Sequence, residues 1–317
     1  MPTRRGSIRI FRLLGIDVYL HYSWILWAII RYKVQFLHFH EYGSPFWYIV
    51  EYLGLFAIVL MHEFGHALAC RQVGGQANLI VLWPLGGVAY VSPPQRPGAM
   101  LWSIAAGPLV NVALFPVFSV FWYCSHLLGW PDIYPNVNEI LEAIWMINLS
   151  LLVFNMLPIF PLDGGQILRS LLWYLFGRAN SLLIASIVGF VGVAGFGVFI
   201  LLMYLGGDSG SAIWMGVMDF FIAMTCWRGL QQALALSRLE KAPRRAEFRC
   251  PSCQVSPPIG EFWGCGRCRK TFDTFSTQGF CPHCNAEYHV TSCPFCHSVR
   301  PMTEWHAFAA PSVPPQG

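Results

Sequence analysis

Long apolar segments dominate this sequence and constrain its fold more than any other feature. Six of them approach or exceed the roughly 20 residues that a helix needs to cross a bilayer. Only 11% of the 317 residues are charged, whereas a typical soluble protein has about 25%. The sequence therefore predicts an α-helical polytopic membrane protein with about six transmembrane helices. We place them at residues 14–38, 46–73, 99–123, 139–158, 180–206 and 211–236.

Basic residues are distributed unevenly between the connections of these spans. They precede the first span, lie between the second and third and between the fourth and fifth, and follow the sixth, whereas residues 124–138 and 206–210 contain no Lys or Arg. Cytoplasmic loops of membrane proteins are enriched in Lys and Arg. The pattern predicts a multi-pass protein of the cell (inner) membrane with both termini in the cytoplasm. The residues are Arg4, Arg5, Arg9, Arg12, Arg71, Arg96, Arg169, Arg178, Arg238, Lys241, Arg244 and Arg245.

A polar-flanked stretch, residues 74–98, separates the second and third spans. Within it, NLIVLW and VAYV bracket Pro84 and the pair Gly86 and Gly87. Two short apolar runs around such residues are typical of a β-hairpin. Unpaired strand edges are not tolerated in contact with lipid tails, so we expect a small membrane-associated hairpin at the interface or against protein.

The composition changes after residue 237, and eight of the eleven cysteines lie between 250 and 296. They form four Cys-x-x-Cys pairs, which suit two four-thiolate zinc sites. A cytoplasmic location disfavours disulfides, and a segment of about 50 residues has too small a core to fold without such ions. We predict a small double zinc-ribbon domain. The cysteines are Cys250, Cys253, Cys265, Cys268, Cys281, Cys284, Cys293 and Cys296.

The sequence leaves two ways to group these cysteines. We favour the first four on one zinc and the last four on the other, and an interleaved arrangement stays open. The predicted domains are a membrane-embedded domain at 1–240, a linker at 241–249, the double zinc ribbon at 250–300 and a disordered tail at 301–317.

A second metal signature lies inside the second span, in the stretch HEFGH. On a helix, residues i and i+4 share a face, so His62 and His66 can bind one ion. Glu63 stands beside them and can take a proton from an activated water. Ionisable residues are rare in membrane spans and by default indicate function.

A catalytic zinc needs a third protein ligand, and Asp163 is the candidate. It follows the fourth span in NMLPIFPLDGG, and both this span and the second lead towards the cytoplasmic side in the predicted topology. Pro158 and Pro161 interrupt helical hydrogen bonding just before it. Two motifs at matching depth thus predict one metal site.

These motifs resemble those of the site-2 protease family of intramembrane zinc metalloproteases. The matching stretches are HEFGH, NMLPIFPLDGG, AAGPLVN at 105–111 and PLGGVAYV at 84–91, while DVYLHYSW at 17–24 is similar to the first span of the compact subgroup that includes sporulation-factor processing enzymes. The resemblance covers roughly residues 8–236. Neither a PDZ domain nor CBS domains are recognisable, and the cysteine-rich segment stands where some compact members have CBS domains.

The resemblance implies a zinc metalloendopeptidase that hydrolyses peptide bonds in or near transmembrane segments. His62, His66 and Asp163 would hold one catalytic zinc, and Glu63 would act as the general base; the ribbons would add two structural zinc ions. Asn155 would contact the substrate or the oxyanion, although an interhelical amide bond is an equal alternative. An unwound substrate could add to the hairpin edge near Gly86 and Gly87.

The expected partners are a transmembrane protein substrate, the lipid bilayer and a protein partner of the zinc ribbons. Net charge of +4 gives no indication of a nucleic-acid partner. A catalytically idle membrane receptor that recruits partners through its ribbons is the alternative function, and the intact Glu63 argues against it. A metal transporter is a third hypothesis, disfavoured because the ionisable residues gather at one site rather than along a path.

Overall fold

The computed structural model describes residues 6–24, 42, 44–83 and 86–305. The chain divides into two compact units, Met1–Gln231 and Gln232–Gly317. The first contains long apolar helices and one sheet, and the second contains the cysteine-rich segment with two small sheets.

Five helices in the described part of the chain are long and apolar enough to cross a membrane, which confirms five of the predicted spans. A short helix, α3 (Trp130–Ile133), precedes the third of them. The five are α1 (Pro45–Gln72), α2 (Pro97–Leu127), α4 (Pro135–Met156), α5 (Asp163–Leu205) and α6 (Ser209–Lys241). Gly177, at φ 76° and ψ 176°, breaks the helical backbone of α5, so the predicted fifth span corresponds to the part after this break.

The first predicted span, 14–38, is wrong at its beginning. Residues Ser7–Leu13 and Ile16–His21 form strands β1 and β2 of a sheet, and residues 25–41 lie outside the described residues. Ile16 and Val18 are fully buried and flank the polar Asp17. Such alternation of apolar and polar residues is typical of a half-buried strand rather than a helix.

The predicted hairpin is present and forms part of a larger sheet. Strand β3 (Gln76–Trp83) pairs antiparallel with β4 (Gly86–Ser92), and β2 pairs with β3 in parallel. The strand order β1-β2-β3-β4 leaves β4 at one edge. One face packs on α1, where Ile80 and Leu82 meet Phe64 and Ala67 in a buried core. The sheet therefore lies against protein, as the cost of unpaired backbone in lipid requires.

The second unit is a pair of two-stranded sheets around an aromatic core. Strands β5 (Trp263–Gly264) and β6 (Thr271–Phe272) form one sheet, and β7 (Val290–Ser292) and β8 (Val299–Pro301) form the other. Trp263 and Trp305 both pack on Phe275.

The unit extends beyond the predicted ribbon boundaries at both ends. Met302–Trp305 is a 3-10 helix whose Trp305 is fully buried, although a disordered tail is predicted from residue 301. In the predicted linker, Arg245 pairs with Asp273 and the Arg249 N–H donates to the Trp305 carbonyl. Aromatic packing and backbone hydrogen bonds thus order residues that appear as linker or tail in the sequence.

Candidate active site

Helix α1 presents two histidines and a glutamate inside the membrane unit. His62, Glu63 and His66 are only 4%, 6% and 9% exposed. The one-turn spacing places both imidazoles on one face of α1, and their Nε2 atoms are 3.1 Å apart. Burial of three ionisable groups in one turn is costly unless charge is compensated.

Asp163 supplies the compensating carboxylate as the first residue of α5. Its Oδ2 lies 3.1 Å from His62 Nε2 and 3.3 Å from His66 Nε2. The sequence places Asp163 at the end of the fourth span, but α4 ends at Met156 and a turn of six residues intervenes. In this turn the Phe160 carbonyl accepts a hydrogen bond from Cys226 Sγ. Cys226 is a lone cysteine in an apolar segment, and nothing in the sequence indicates this contact.

The hydrogen bonds of the two imidazoles determine which ring nitrogens face each other. His66 Nδ1 lies 2.9 Å from the Ser103 carbonyl oxygen, and His62 Nδ1 lies 2.6 Å from Asn111 Oδ1. These acceptors assign the proton to Nδ1 in both rings. Both Nε2 lone pairs then converge on the carboxylate with no proton between them, an arrangement that suits a metal cation. The three donor atoms lie within 4.8 Å of one another.

Two buried asparagines fix the orientation of the His62 ring on its Nδ1 side. Asn111 Nδ2 donates to Asn148 Oδ1 at 2.9 Å, and Asn148 Nδ2 donates to the Asn111 carbonyl at 3.0 Å. This exchange orients Asn111 so that its side-chain oxygen faces His62. Metal-ligating histidines commonly depend on such partners. In the sequence, Asn111 stands out only as the last residue of the motif AAGPLVN, and nothing singles out Asn148.

Glu63 contacts the edge strand of the sheet rather than the donor triad. Its Oε2 accepts a hydrogen bond from the Ala89 N–H at 2.7 Å. A Cβ at Gly87 would collide with the Glu63 side chain, so the β4 backbone approaches this carboxylate closely. Because β3 occupies the other side of β4, the Ala89 N–H points outward from the sheet. The base candidate therefore lies at the outer edge of β4.

The remaining predicted substrate-binding residues have different surroundings. Gly86 and Gly87 begin β4, opposite Trp83 and Leu82. Asn155 is half-buried in the last turn of α4. Within the described residues it has no hydrogen-bond partner, so the alternative of an interhelical amide bond has no support there.

The eight cysteines of the second unit form two clusters, and the grouping favoured from sequence is wrong. Cys250 and Cys253 meet Cys293 and Cys296, while Cys265 and Cys268 meet Cys281 and Cys284. Sulfur–sulfur distances of 3.5 Å between Cys265 and Cys284 and 3.7 Å between Cys268 and Cys281 far exceed a disulfide bond. They match the spacing around a tetrahedral zinc with Zn–S bonds of about 2.3 Å. His283 and His297 belong to neither cluster.

One thiol of the second cluster is prepared for ionisation. The Cys268 N–H and the Tyr288 hydroxyl point at Cys265 Sγ and lower the pKa of this thiol to about 5. A thiolate is the form that binds metal. In the same cluster the Ala286 N–H lowers the pKa of Cys284, but desolvation and the neighbouring thiols outweigh it and raise this pKa to about 12. The hydrogen-bond donors of this cluster thus favour a thiolate at Cys265.

These features together define a buried candidate metal site with an adjacent carboxylate in an apolar helical unit, accompanied by a separate unit whose two cysteine clusters could each hold a metal ion. The model of peptidase family M50 matches residues 50–129 and 132–201, a region that contains every residue of the buried site. Over this region the chain is similar to this family, that of the site-2 proteases, and its apolar helices make it an integral membrane protein. The cysteine-rich unit lies outside the matched region.

Named relatives are consistent with this similarity. The chain is 34% identical to the zinc metalloprotease MJ0392 of Methanocaldococcus jannaschii over 183 residues, which are 58% of this chain and 50% of that protein. It is 31% identical to stage IV sporulation protein FB of Bacillus subtilis over 145 residues, 42% of this chain and 46% of that protein. The chain thus spans about half the length of these curated relatives.

A solved structure is also similar. The site-2 protease from Methanocaldococcus jannaschii is 27% identical, with a match that covers 71% of this chain and 95% of that one at a TM-score of 0.48.

Proposed function

We propose that this protein is a zinc metalloendopeptidase that hydrolyses peptide bonds in or near transmembrane segments of membrane proteins. One observation carries the proposal: two imidazole nitrogens and one carboxylate oxygen converge beside Glu63 within apolar helices. Three protein donors with an open fourth position are typical of catalytic rather than structural zinc. Similarity to the family and the zinc metalloproteases among the relatives support the same metal and reaction class.

In this proposal His62, His66 and Asp163 would hold a zinc ion, and this ion would supply Lewis acidity to polarise the scissile carbonyl and to activate water. Glu63 accepts the proton of the attacking water and later passes it to the leaving amine. Its burial removes competing solvent, and the Ala89 N–H keeps one of its oxygens in a fixed position. Asn111 and Asn148 hold the His62 ring in the orientation that presents Nε2.

The substrate is proposed to bind as an extended chain along the outer edge of β4. A helix hides its own carbonyl groups, so a transmembrane segment must unwind before cleavage, and an exposed strand edge can pair with the released backbone. Gly86 and Gly87 carry no side chain that would obstruct this approach. Asn155 is proposed to donate a hydrogen bond to the substrate or the oxyanion.

The topology and the metal count belong to the same proposal. The basic connections support a multi-pass protein of the cell (inner) membrane with both termini in the cytoplasm. Two further zinc ions would be structural, one in each cysteine cluster. We propose a membrane-embedded domain at 1–240 and a zinc-ribbon domain that includes Arg245 and Arg249 of the predicted linker and extends to Trp305.

Quantitative membrane proteomics in the native cell tests the function. Glu63→Gln removes the base while leaving the donor triad, so intact membrane proteins should accumulate and their soluble fragments should disappear. Glu51→Gln is the matched control, because Glu51 is also buried in α1 but lies three turns from the triad. No difference between Glu63→Gln and wild type, at equal abundance, would instead favour the idle receptor.

A further inference from the structure

A groove of about 360 Å³ lies between the two small sheets of the second unit. The facing strands β5 and β7 form its walls through Gly264, Val290 and Ser292, and the aromatic rings of Phe262, Phe272 and Tyr288 line it. None of the functions described above uses this groove.

The two walls are strand edges with outward-facing backbone groups. In the first sheet the Cys265 N–H bonds to the Lys270 carbonyl; alternation in an antiparallel pair then directs the N–H and C=O of Gly264 away from β6. In the second sheet the Cys293 N–H donates to the Ser298 carbonyl. By the same alternation, the backbone N–H and C=O groups of Val290 and Ser292 point away from β8.

One side chain bridges the two walls. Trp263 Nε1 donates to the Ser292 carbonyl at 3.0 Å, so the indole lines the groove and already occupies that carbonyl. The outward backbone groups of Gly264 and Val290 have no partner beyond their own sheets in the described part of the chain, and an added strand can pair with them.

The uncharged lining of the groove favours a peptide over a nucleic acid. No Lys, Arg, Asp or Glu lines the groove. Residues 250–305 carry four basic and four acidic side chains, and the excess of basic residues in the unit precedes them, where Arg238, Lys241, Arg244, Arg245 and Arg249 accompany only Glu240 and Glu247. Nucleic-acid affinity depends largely on the neutralisation of phosphates by basic groups, and the groove itself has none.

We propose that the groove binds an extended, uncharged segment of the membrane protein that the first unit cleaves. The inference rests on the proposed function for the identity of the partner. The segment would pair with the backbone of β5 on one side and β7 on the other, in the manner of strand addition. Because both units belong to one chain, a segment bound there would raise the effective concentration of the substrate.

A matched pair of valines tests the groove. Val290 lines it and is 50% exposed, whereas Val299, in the same sheet, is 61% exposed and does not line it. Val290→Glu places a charge in an uncharged groove, and Val299→Glu is the control. Gly264→Val is a second variant, because a Cβ there meets no atom within 4 Å and the fold tolerates it. Zinc content confirms that each variant retains its ribbons.

The cellular experiment compares these variants with Glu63→Gln by membrane proteomics. Proteins that accumulate in Glu63→Gln should also accumulate, to a smaller extent, in Val290→Glu and Gly264→Val, but not in Val299→Glu. If Glu63→Gln causes accumulation while Val290→Glu behaves like Val299→Glu, the substrate-docking proposal is overturned and the proposed protease function stands.

A binding experiment tests whether the groove binds peptides, even if no membrane protein accumulates in cells that carry the Glu63→Gln variant. The full chain in nanodiscs is used to select from a displayed library of 12-residue peptides, and a labelled 20-nucleotide single strand is titrated separately. Wild type and Val299→Glu should enrich uncharged peptides, and Val290→Glu should bind them about tenfold or more weakly, a difference of about 1.4 kcal/mol. Equal binding by both variants, or Val290-dependent binding of the oligonucleotide alone, would overturn the proposal.

Discussion

The donor triad of the membrane unit and the cysteine clusters of the second unit gather metal ligands in different ways. The triad joins His62 to Asp163, which are distant in sequence and lie on two helices, and relies on buried asparagines for orientation. Each cysteine cluster joins two Cys-x-x-Cys turns and is oriented largely by local backbone groups. The triad has three donors with Glu63 beside it, whereas each cluster has four sulfurs. An open position suits catalysis, and a filled tetrahedron suits structure.

The largest expected effect separates the triad from the clusters. Asp163→Ala removes the one carboxylate donor, so zinc per chain should fall by one ion and proteolysis should cease. Loss of a general-base mechanism alone lowers rates by about 10²–10⁴, and the loss of the metal adds to this. Metal analysis and proteomics measure the two results. Asp208→Ala, at an exposed loop acid, is the control; retention of all three ions by Asp163→Ala would contradict the triad.

The second prediction concerns a cysteine cluster, in which four sulfurs would fill the coordination sphere of the ion. Cys281→Ser should release the ion shared with Cys265, Cys268 and Cys284 and unfold that ribbon, because zinc binding supplies much of the folding free energy of such modules. Limited proteolysis and metal analysis should show one ion lost and residues 250–305 cleaved. Cys124→Ser alters an exposed cysteine outside the clusters and should change neither. Unaltered metal content in Cys281→Ser would indicate a different ligand set.

A smaller effect is expected from crowding the triad. A Cβ at Gly107 would collide with the His66 imidazole, so Gly107→Ala should displace this ligand. Overpacking costs about 1–3 kcal/mol, which corresponds to roughly a 5- to 150-fold weaker zinc affinity. Competition with a chelator measures it. Gly195→Ala, where a Cβ meets nothing within 4 Å, should bind zinc like wild type; equal loss in both variants would point to general helix damage.

The smallest effect tests the support behind His62. Asn148→Ala leaves Asn111 free to turn, and loss of such a partner lowers metal affinity by about 10–100-fold, with the lower end expected because Asn111 itself remains. Asn138→Ala is the control on the same helix, since Asn138 is buried and bonded to Ser125. Thermal stability should fall in both variants and zinc affinity only in Asn148→Ala. Equal zinc affinities would make Asn148 purely structural.

The sequence predicts those features that local spacing determines. The helices after residue 44, the hairpin and the members of the metal-binding sets follow from apolar length, turn residues and ligand spacing. Asp163 could also be predicted as the third metal ligand, because the family resemblance links its motif to HEFGH. Such local signals can be interpreted without knowledge of tertiary contacts.

The features that depend on remote contacts could not be obtained in this way. The run from Ile16 to His21 becomes strand because it pairs with Ser7–Leu13 and with β3, and a short apolar run does not distinguish strand from helix. Cysteine spacing shows which residues form pairs but not which pairs meet. Asn148 is one amide in an apolar helix, and only its bonds to Asn111 reveal its position behind His62.

Two glycines beside the triad have a consequence for natural variation. Gly87 and Gly107 contribute no functional group, yet a Cβ at either position would strike Glu63 or His66. A single-nucleotide change converts any glycine codon into an alanine codon. A homologous gene can therefore keep HEFGH and Asp163 intact and still encode a protein with weakened zinc affinity, and genetic screens for reduced activity should recover alleles at positions that a search for catalytic residues would pass over.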